Sequence, residues 1–385
     1  MVELKTLFFR LLRCALEGET PAQEDAQAAG EQTRQLYELS SSFDLAYLVG
    51  YELGRLELLK NDEIGAKFRK KQIEALWRCE QLDYETKRIA DALEQSGIDY
   101  IFLKGAIIRP LYPEAWMRTS ADVDILVREK DYAASIEQLC SRLGYTKGEE
   151  CDHHTEMLFP SGFMVEVHPR LIESNKRVKE VLSRVWDGAS PVQGKEHEYR
   201  MSNEMFYFYI VAHMEKHFRN GGCGIRPFID LLLIRKNFSI DEDKAAALFD
   251  ESGIGTFEKK AVLLAKSWFE DGEKDELCEM MEKYIFKGHV YGSLENRVSL
   301  QQIKKGGKLR YGMSRLFMSY DQMIELYPSL EGKKWLLPVY QVRRWFYHAF
   351  GGRFKRSVHE LWYNQTRSKG EVDDSQEMFR KLGMI

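Results

Sequence analysis

No two of the six cysteines in this 385-residue chain form a CxxC pair: Cys14, Cys79, Cys140, Cys151, Cys223 and Cys278 are scattered singly. That spacing suggests neither a zinc knuckle nor a disulfide framework, and it fits a reducing, cytoplasmic compartment. Long apolar runs are missing as well. Nothing approaches the roughly 18 uncharged residues of a membrane span, so no transmembrane segment is expected. The opening MVELKTLFFRLLRCALEG has no small-residue cleavage site, and Arg10 and Arg13 interrupt its apolar run, which makes it an amphipathic helix rather than a signal peptide. Excess positive charge is also absent: 56 Lys and Arg face 60 Asp and Glu, for a net charge of −4. This balance argues against a chain built throughout to coat nucleic acid and leaves room for a local basic patch. No internal repeat is visible.

The chain has 44% hydrophobic residues, and its length suits two compact domains of roughly 100–200 residues each. Over residues 1–97, Leu, Phe and Ile recur every three or four positions, the period of amphipathic helices, with GETPAQEDAQAAGEQ as a dividing loop. Between 98 and 170 the period shortens. DYIFL, VDILV, TEMLF and FMVEV have the length and β-branched character of strands, and Pro160, Ser161 and Gly162 look like the turn of a hairpin. One helix interrupts them, starting near Glu129 or Lys130, with Ala133, Ile136, Leu139, Cys140 and Leu143 on one face and Gly144 as its stop. Residues 171–363 return to a helical pattern, broken by Gly221, Gly222 and Gly224 and by Gly306 and Gly307; 364–385 are polar and expected to be a flexible tail. The fold class expected is therefore α+β: a small mixed β-sheet flanked by an N-terminal helical region and a larger C-terminal helical domain.

Chemistry concentrates in RTSADVDILVREKD, where Asp122 and Asp124 stand two apart at the start of an apolar strand. Alternation sends both to one face, with Cα atoms about 6.5–7 Å apart. Val123, Ile125 and Val127 take the other face, the one a core would use. Two carboxylates about 4 Å apart repel by about 1 kcal/mol in water and about 4 kcal/mol at an effective dielectric near 20, so a convergent cluster calls for a cation. Oxygen ligands favour magnesium or manganese over zinc. Glu166 is the best third carboxylate, since it sits between two valines on a predicted strand; Glu149, Glu150, Asp152 and Glu156 lie in a loop or at a strand edge. An Asp-x-Asp alone is weak, because a solvent-facing strand end explains it equally well.

Upstream, IFLKGAIIRPLYP places Lys104 and Gly105 between a strand and a short helix. A glycine there admits close backbone approach to an anion, with the lysine supplying charge; an ordinary turn glycine beside a surface lysine is the bland alternative. Arg118 can clamp a phosphate, orient a carboxylate or make a plain surface ion pair. His213 and His217 have helical zinc-ligand spacing, yet HMEKH lacks the glutamate of a metalloprotease, so a place lining the cleft or simple packing is preferred. Arg226 and Asp230, at i and i+4, suit an intrahelical pair, and His168 shares a face with Glu166. KKGGKLRYGMSR and RRWFYHAFGGRFKR mix cations with aromatics, as RNA or membrane-surface patches do and as ordinary amphipathic helices also do.

Taken in order, LKG, a helix ending in YP, Arg118, ADVDILV, a helix ending LGY, and VEVH resemble the uncharacterised nucleotidyltransferase family of the DNA polymerase β-like nucleotidyltransferase superfamily. The likeness is sharpest over about residues 95–170, and HMEKHF, GIRPFID and YPSLEGKKWLLPVYQVRRWF look like that family's helical portion. It implies that 98–170 form the nucleotidyltransferase core, that Asp122, Asp124 and Glu166 are catalytic metal-binding carboxylates, and that Lys104, Gly105 and Arg118 bind nucleotide. Mg2+ or Mn2+ is the implied cofactor and an NTP the partner. The implied reaction is in-line attack by an acceptor hydroxyl or phosphate on the α-phosphorus; the acceptor is open among a small molecule, a sugar, a lipid-linked intermediate, a protein and RNA. One departure is Ala106, where the superfamily usually has a second Gly or Ser, so a hydroxyl contact to phosphate is lost. Two other readings stand beside this one: a toxin-like enzyme that extends RNA ends, and a catalytically silent scaffold.

Overall fold

The apolar positions that repeat along the first hundred residues are satisfied by helix packing. α1 (Leu4–Glu17) buries Leu7, Phe8, Phe9, Leu11, Leu12, Cys14 and Ala15 and stops at Gly18, whose φ of 73° is the left-handed cap that glycine takes at little cost. α2 (Gln23–Glu31), α3 (Thr33–Ser42) and α4 (Ala46–Arg55) follow. The segment expected as a dividing loop thus holds a helix: α2 buries only Ala28, Ala29 and Asp25, the last paired with Arg10 at 2.9 Å, and so few apolar residues gave no helical period. α5 (Glu63–Gln95) runs for 33 residues from an Asp62 cap whose side chain accepts from Gly65 N at 2.8 Å.

The fold is α+β. This computed structural model describes all residues except 1, 152–153, 160–161, 172–174, 289–316, 321–322, 324–326, 328–329, 331 and 351–368. Its central sheet is built from β1 (Tyr100–Phe102), β2 (Asp122–Val127), β3 (Thr146–Cys151), β4 (His154–Leu158) and β5 (Met164–His168), in the order β1-β2-β5-β4-β3. β2 and β5 run parallel and the other pairs are antiparallel, so the sheet is mixed. α6 (Gly105–Ile108) lies between β1 and β2, and α7 (Tyr132–Leu143) between β2 and β3. Val123, Ile125 and Val127 of β2, Val165 and Val167 of β5 and Met157 of β4 form one apolar face. They bury it with Phe163 against Leu82, Ile89 and Leu93 of α5 and Leu139 of α7.

On α7, Ile136, Leu139, Cys140 and Leu143 meet this core as expected, but Ala133 is exposed. Ser135 is buried instead, its hydroxyl satisfied by Tyr132 O at 2.7 Å. The β4–β5 hairpin closes through Phe159 N to Phe163 O and Gly162 N to Phe159 O, both 2.9 Å; Pro160 and Ser161 lie outside the described residues.

Beyond the sheet come α8 (Lys176–Leu182), the short strands β6 (Ser190–Pro191) and β7 (Tyr199–Arg200), and then α9 (Asn203–Arg219), α10 (Arg226–Asn237), α11 (Glu242–Ser252), α12 (Gly255–Phe269), α13 (Glu276–Gly288), α14 (Leu337–Phe350) and α15 (Lys369–Lys381). The β6–β7 pair has no counterpart in the helical period expected there. The described chain forms two compact units, Met1–Lys216 with Ile225–Cys278, and His217–Gly224 with Glu279–Ile385. Within the second, Phe218 meets Tyr284 and Phe379 with centroids 4.9 and 6.1 Å apart, and Met378, Phe379, Leu382 and Met384 are buried. The segment 364–385, expected as a flexible polar tail, thus contains a helix and a buried end. Residues 304–315, the first basic cluster, lie outside the described residues, as do 351–356 of the second. Among the described residues, no helix is long and apolar enough to cross a membrane.

Candidate active site

Strand alternation turns the odd-numbered β2 residues into the core, so Asp122 and Asp124 project from the opposite face. Parallel pairing sets Asp122 opposite Met164, Asp124 opposite Glu166 and Leu126 opposite His168. Asp122, Asp124 and Glu166 consequently converge, one carboxylate oxygen from each lying within 4.8 Å of the others. Asp124 is buried and Asp122 and Glu166 are partly so. β4 extends the pattern by setting Glu156 directly opposite Glu166, an arrangement of like charges that is unfavourable across paired strands.

Lys104 stands against this charge. Lys104 Nζ lies 2.8 Å from Asp124 Oδ1, and Leu103 N donates to Asp124 O at 3.0 Å, tying the turn after β1 to β2. Lys104 holds φ 40° and ψ −108°, a conformation that costs a side-chain-bearing residue on the order of 1–3 kcal/mol. Burial pushes the Asp124 carboxyl up, but Lys104 and His168 outweigh it and hold the group well below the usual carboxylate range. Asp122 goes the other way: burial, with Asp124 and Glu166 beside it, lifts its carboxyl to about 6 against the pull of Lys104. His168 Nε2 sits 3.3 Å from Asp124 Oδ1 and 3.4 Å from Glu166 Oε2; burial disfavours its charged form, yet the two carboxylates raise its pKa. His154 faces it from β4, ring centroids 5.3 Å apart.

Gly105 opens α6, which is only four residues long and so adds little helix-end charge to the turn. What surrounds Gly105 is guanidinium. A Cβ there would lie 2.7 Å from Arg118 Nη1 and 3.2 Å from Ser120 Oγ. Arg118 is buried and forked onto Asp230, Nε to Oδ1 at 3.0 Å and Nη2 to Oδ2 at 2.9 Å, and Tyr112 OH donates to the same Oδ1 at 2.8 Å. Asp230 therefore does not make the expected pair with Arg226, which instead reaches Asp44 Oδ2 at 2.7 Å. Arg109, also buried, bonds Asp83 Oδ1 at 3.0 Å and Ser120 Oγ at 3.4 Å, placing a second guanidinium beneath the turn.

The structure thus brings Asp122, Asp124, Glu166 and Lys104 together, with Gly105 and Arg118 adjoining on the turn. His213 on α9 lies near enough for Lys104 and Asp124 to act on it; burial and Lys104 hold its pKa well below the ordinary histidine value. His217 is exposed, and among the described residues the trios able to hold a metal ion, Asp122/Asp124/Glu166 and His154/Glu166/His168, include neither His213 nor His217. Sequence reasoning missed His154, the Lys104–Asp124 pair and the Arg118–Asp230 fork. The fork had a signal in Asp230, a carboxylate set among Phe228, Ile229 and Leu231 with no solvent-facing period.

Residues 30–270 match the model of the family described as uncharacterised nucleotidyltransferase, a span that holds the whole sheet, the turn and the carboxylate cluster, and the chain belongs to that family. Searches of curated proteins and of solved structures each found no match.

Proposed function

We propose, with membership of this nucleotidyltransferase family as the premise, that the protein transfers a nucleoside monophosphate from an NTP to an acceptor hydroxyl or phosphate in a magnesium-dependent reaction. The supporting observation is the meeting of Asp122, Asp124 and Glu166 within 4.8 Å on one sheet face beside the Lys104–Gly105 turn. The donor set suits the ion: every donor is a carboxylate oxygen, as magnesium or manganese prefers, and three carboxylates crowd together beside Lys104. When bound, magnesium would neutralise charge on the triphosphate as the α-phosphorus is attacked.

The chain's own residues divide the remaining work. Lys104 and His168 fix the Asp124 carboxylate in its ionised state, and Asp122 and Glu166 complete the ligand set from the same strand pair. Arg118, anchored by Asp230, holds the Gly105 turn open, so that backbone rather than a hydroxyl at residue 106 faces the phosphates. The acceptor oxygen bonds to the α-phosphorus as the bond to the bridging oxygen breaks; pyrophosphate leaves, and the acceptor's proton passes to solvent.

Incubation of the protein with each labelled NTP, magnesium and a cell extract tests this. Label should move to an acceptor with wild type and stay in the nucleotide with the Asp122→Asn, Asp124→Asn double variant; transfer that persists in that variant rejects the site. A silent scaffold would show no magnesium-dependent thermal stabilisation by any NTP.

A further inference from the structure

The rung of the sheet next to Asp124 and Glu166 carries two imidazoles. His168 follows Glu166 on the same face of β5, and His154 on β4 meets it with ring centroids 5.3 Å apart. One donor atom each from His154, His168 and Glu166 lie within 4.8 Å of one another. His168 Nε2 is 3.4 Å from Glu166 Oε2 and 3.3 Å from Asp124 Oδ1, so an ion taken by this nitrogen replaces its contact with Asp124. Two ligands on a tetrahedral ion, each about 2.0–2.1 Å from it, sit about 3.3–3.4 Å apart, so the His168–Glu166 pair already has the spacing of neighbours on one metal.

We propose that His154, His168 and Glu166 form a second cation position, selective for a borderline divalent ion of the zinc class and distinct from the all-oxygen set beside it. Donor chemistry separates the two. Imidazole with one carboxylate suits zinc and its neighbours, whereas three carboxylates suit magnesium. Glu166 belongs to both sets and can bridge them through its two oxygens, and the unfavourable opposition of Glu156 and Glu166 gives this end of the face a further need for positive charge. The position goes beyond nucleotidyl transfer and does not depend on it.

Zinc binding by the full chain, stripped with a chelator and free of magnesium and NTP, is the test, read by calorimetric titration of Zn2+. Wild type should take up the ion, His154→Gln and His168→Gln should each lose at least about tenfold in affinity, and Asp122→Asn should lose clearly less than either. Circular dichroism checks that each variant folds. Should the histidine variants fail to fold, Co2+ on wild type replaces them: proton spectra should show strongly shifted, exchangeable imidazole N–H signals from both histidines. The proposal is overturned if wild type binds no zinc or if His154→Gln retains its affinity. It is also overturned if Asp122→Asn loses as much as His154→Gln, which would put the ion among the carboxylates, or if the Co2+ form lacks the shifted signals. Transfer activity enters none of these readouts, so loss of the nucleotidyltransferase reading leaves this one standing, and the converse also holds.

Discussion

Alanine at position 105 sets two effects of opposite sign against each other. Gly105 begins a helix, and replacing glycine by alanine in a helix is worth up to about 1 kcal/mol in favour of folding. The new methyl, however, would stand 2.7 Å from Arg118 Nη1. A guanidinium tip usually swings aside at little cost. Arg118 cannot, because Nε and Nη2 are forked onto Asp230 at 3.0 and 2.9 Å and the residue is buried. Displacing the tip sacrifices at least one charge-assisted hydrogen bond, worth about 1.5–3 kcal/mol, so the clash wins. Gly105→Ala should destabilise the protein by about 1–2 kcal/mol, lowering Tm by roughly 2–4 °C per kcal/mol for a unit of this size. Urea titration measures it through the midpoint at constant slope. The double variant Gly105→Ala, Asp230→Ala should show strong coupling, since the freed arginine can then move. A Gly105→Ala protein as stable as wild type, or more so, refutes the claim that Asp230 pins Arg118 against the turn.

Other consequences follow from the same packing. Asp122→Asn should raise the stability of metal-free protein at pH 7.5, because the ionised form of a carboxyl held up at about 6 is disfavoured in the fold. The sign is fixed: the folded state binds this proton more tightly, so wild type loses stability as pH rises through about 4 to 6, and the variant's advantage, on the order of 1–2 kcal/mol after screening at the partly open strand end, should vanish by pH 4 in melts with EDTA. A flat difference across that range would refute it. Lys104→Met leaves Asp124 buried with, among the described residues, His168 as its remaining polar side-chain partner and should cost about 2–4 kcal/mol in metal-free melts, part of it recovered with magnesium; equal losses with and without magnesium would argue against a cation-binding cluster. Phe163→Ala, which empties a fully buried position beside β5, should cost about 3–5 kcal/mol in urea titrations, and a loss below 1 kcal/mol would contradict the packing.

How far the sequence displays this molecule depends on whether a residue's role is local. Asp122 and Asp124 were legible because a strand's period of two makes a polar pair conspicuous against Val123, Ile125 and Val127, and Glu166 because it stands between two valines. The strand segments emerged for the same reason. α2 did not, since alanines supply burial without a strong apolar period, and the buried end at Met378, Phe379, Leu382 and Met384 was masked by the charged residues among which those side chains stand. Pairings across the fold were the least visible. A lysine, an arginine or an aspartate in sequence looks like solvated surface, and Asp230 even had a decoy, Arg226, at helical spacing. What decides such pairs is desolvation: once Asp230 is buried, a forked guanidinium and a tyrosine hydroxyl satisfy it better than one arginine along its own helix, and Arg226 is left to Asp44. Desolvation also ranks the site residues. Asp124 is the carboxylate the fold commits most to, held by Lys104 at a strained φ and by His168, whereas Asp122 keeps its charge only against its surroundings. A group that is costly to ionise in the empty protein has the most to gain when a divalent cation arrives, so Asp122 should be the ligand whose replacement changes the response to magnesium most for the least damage to the fold.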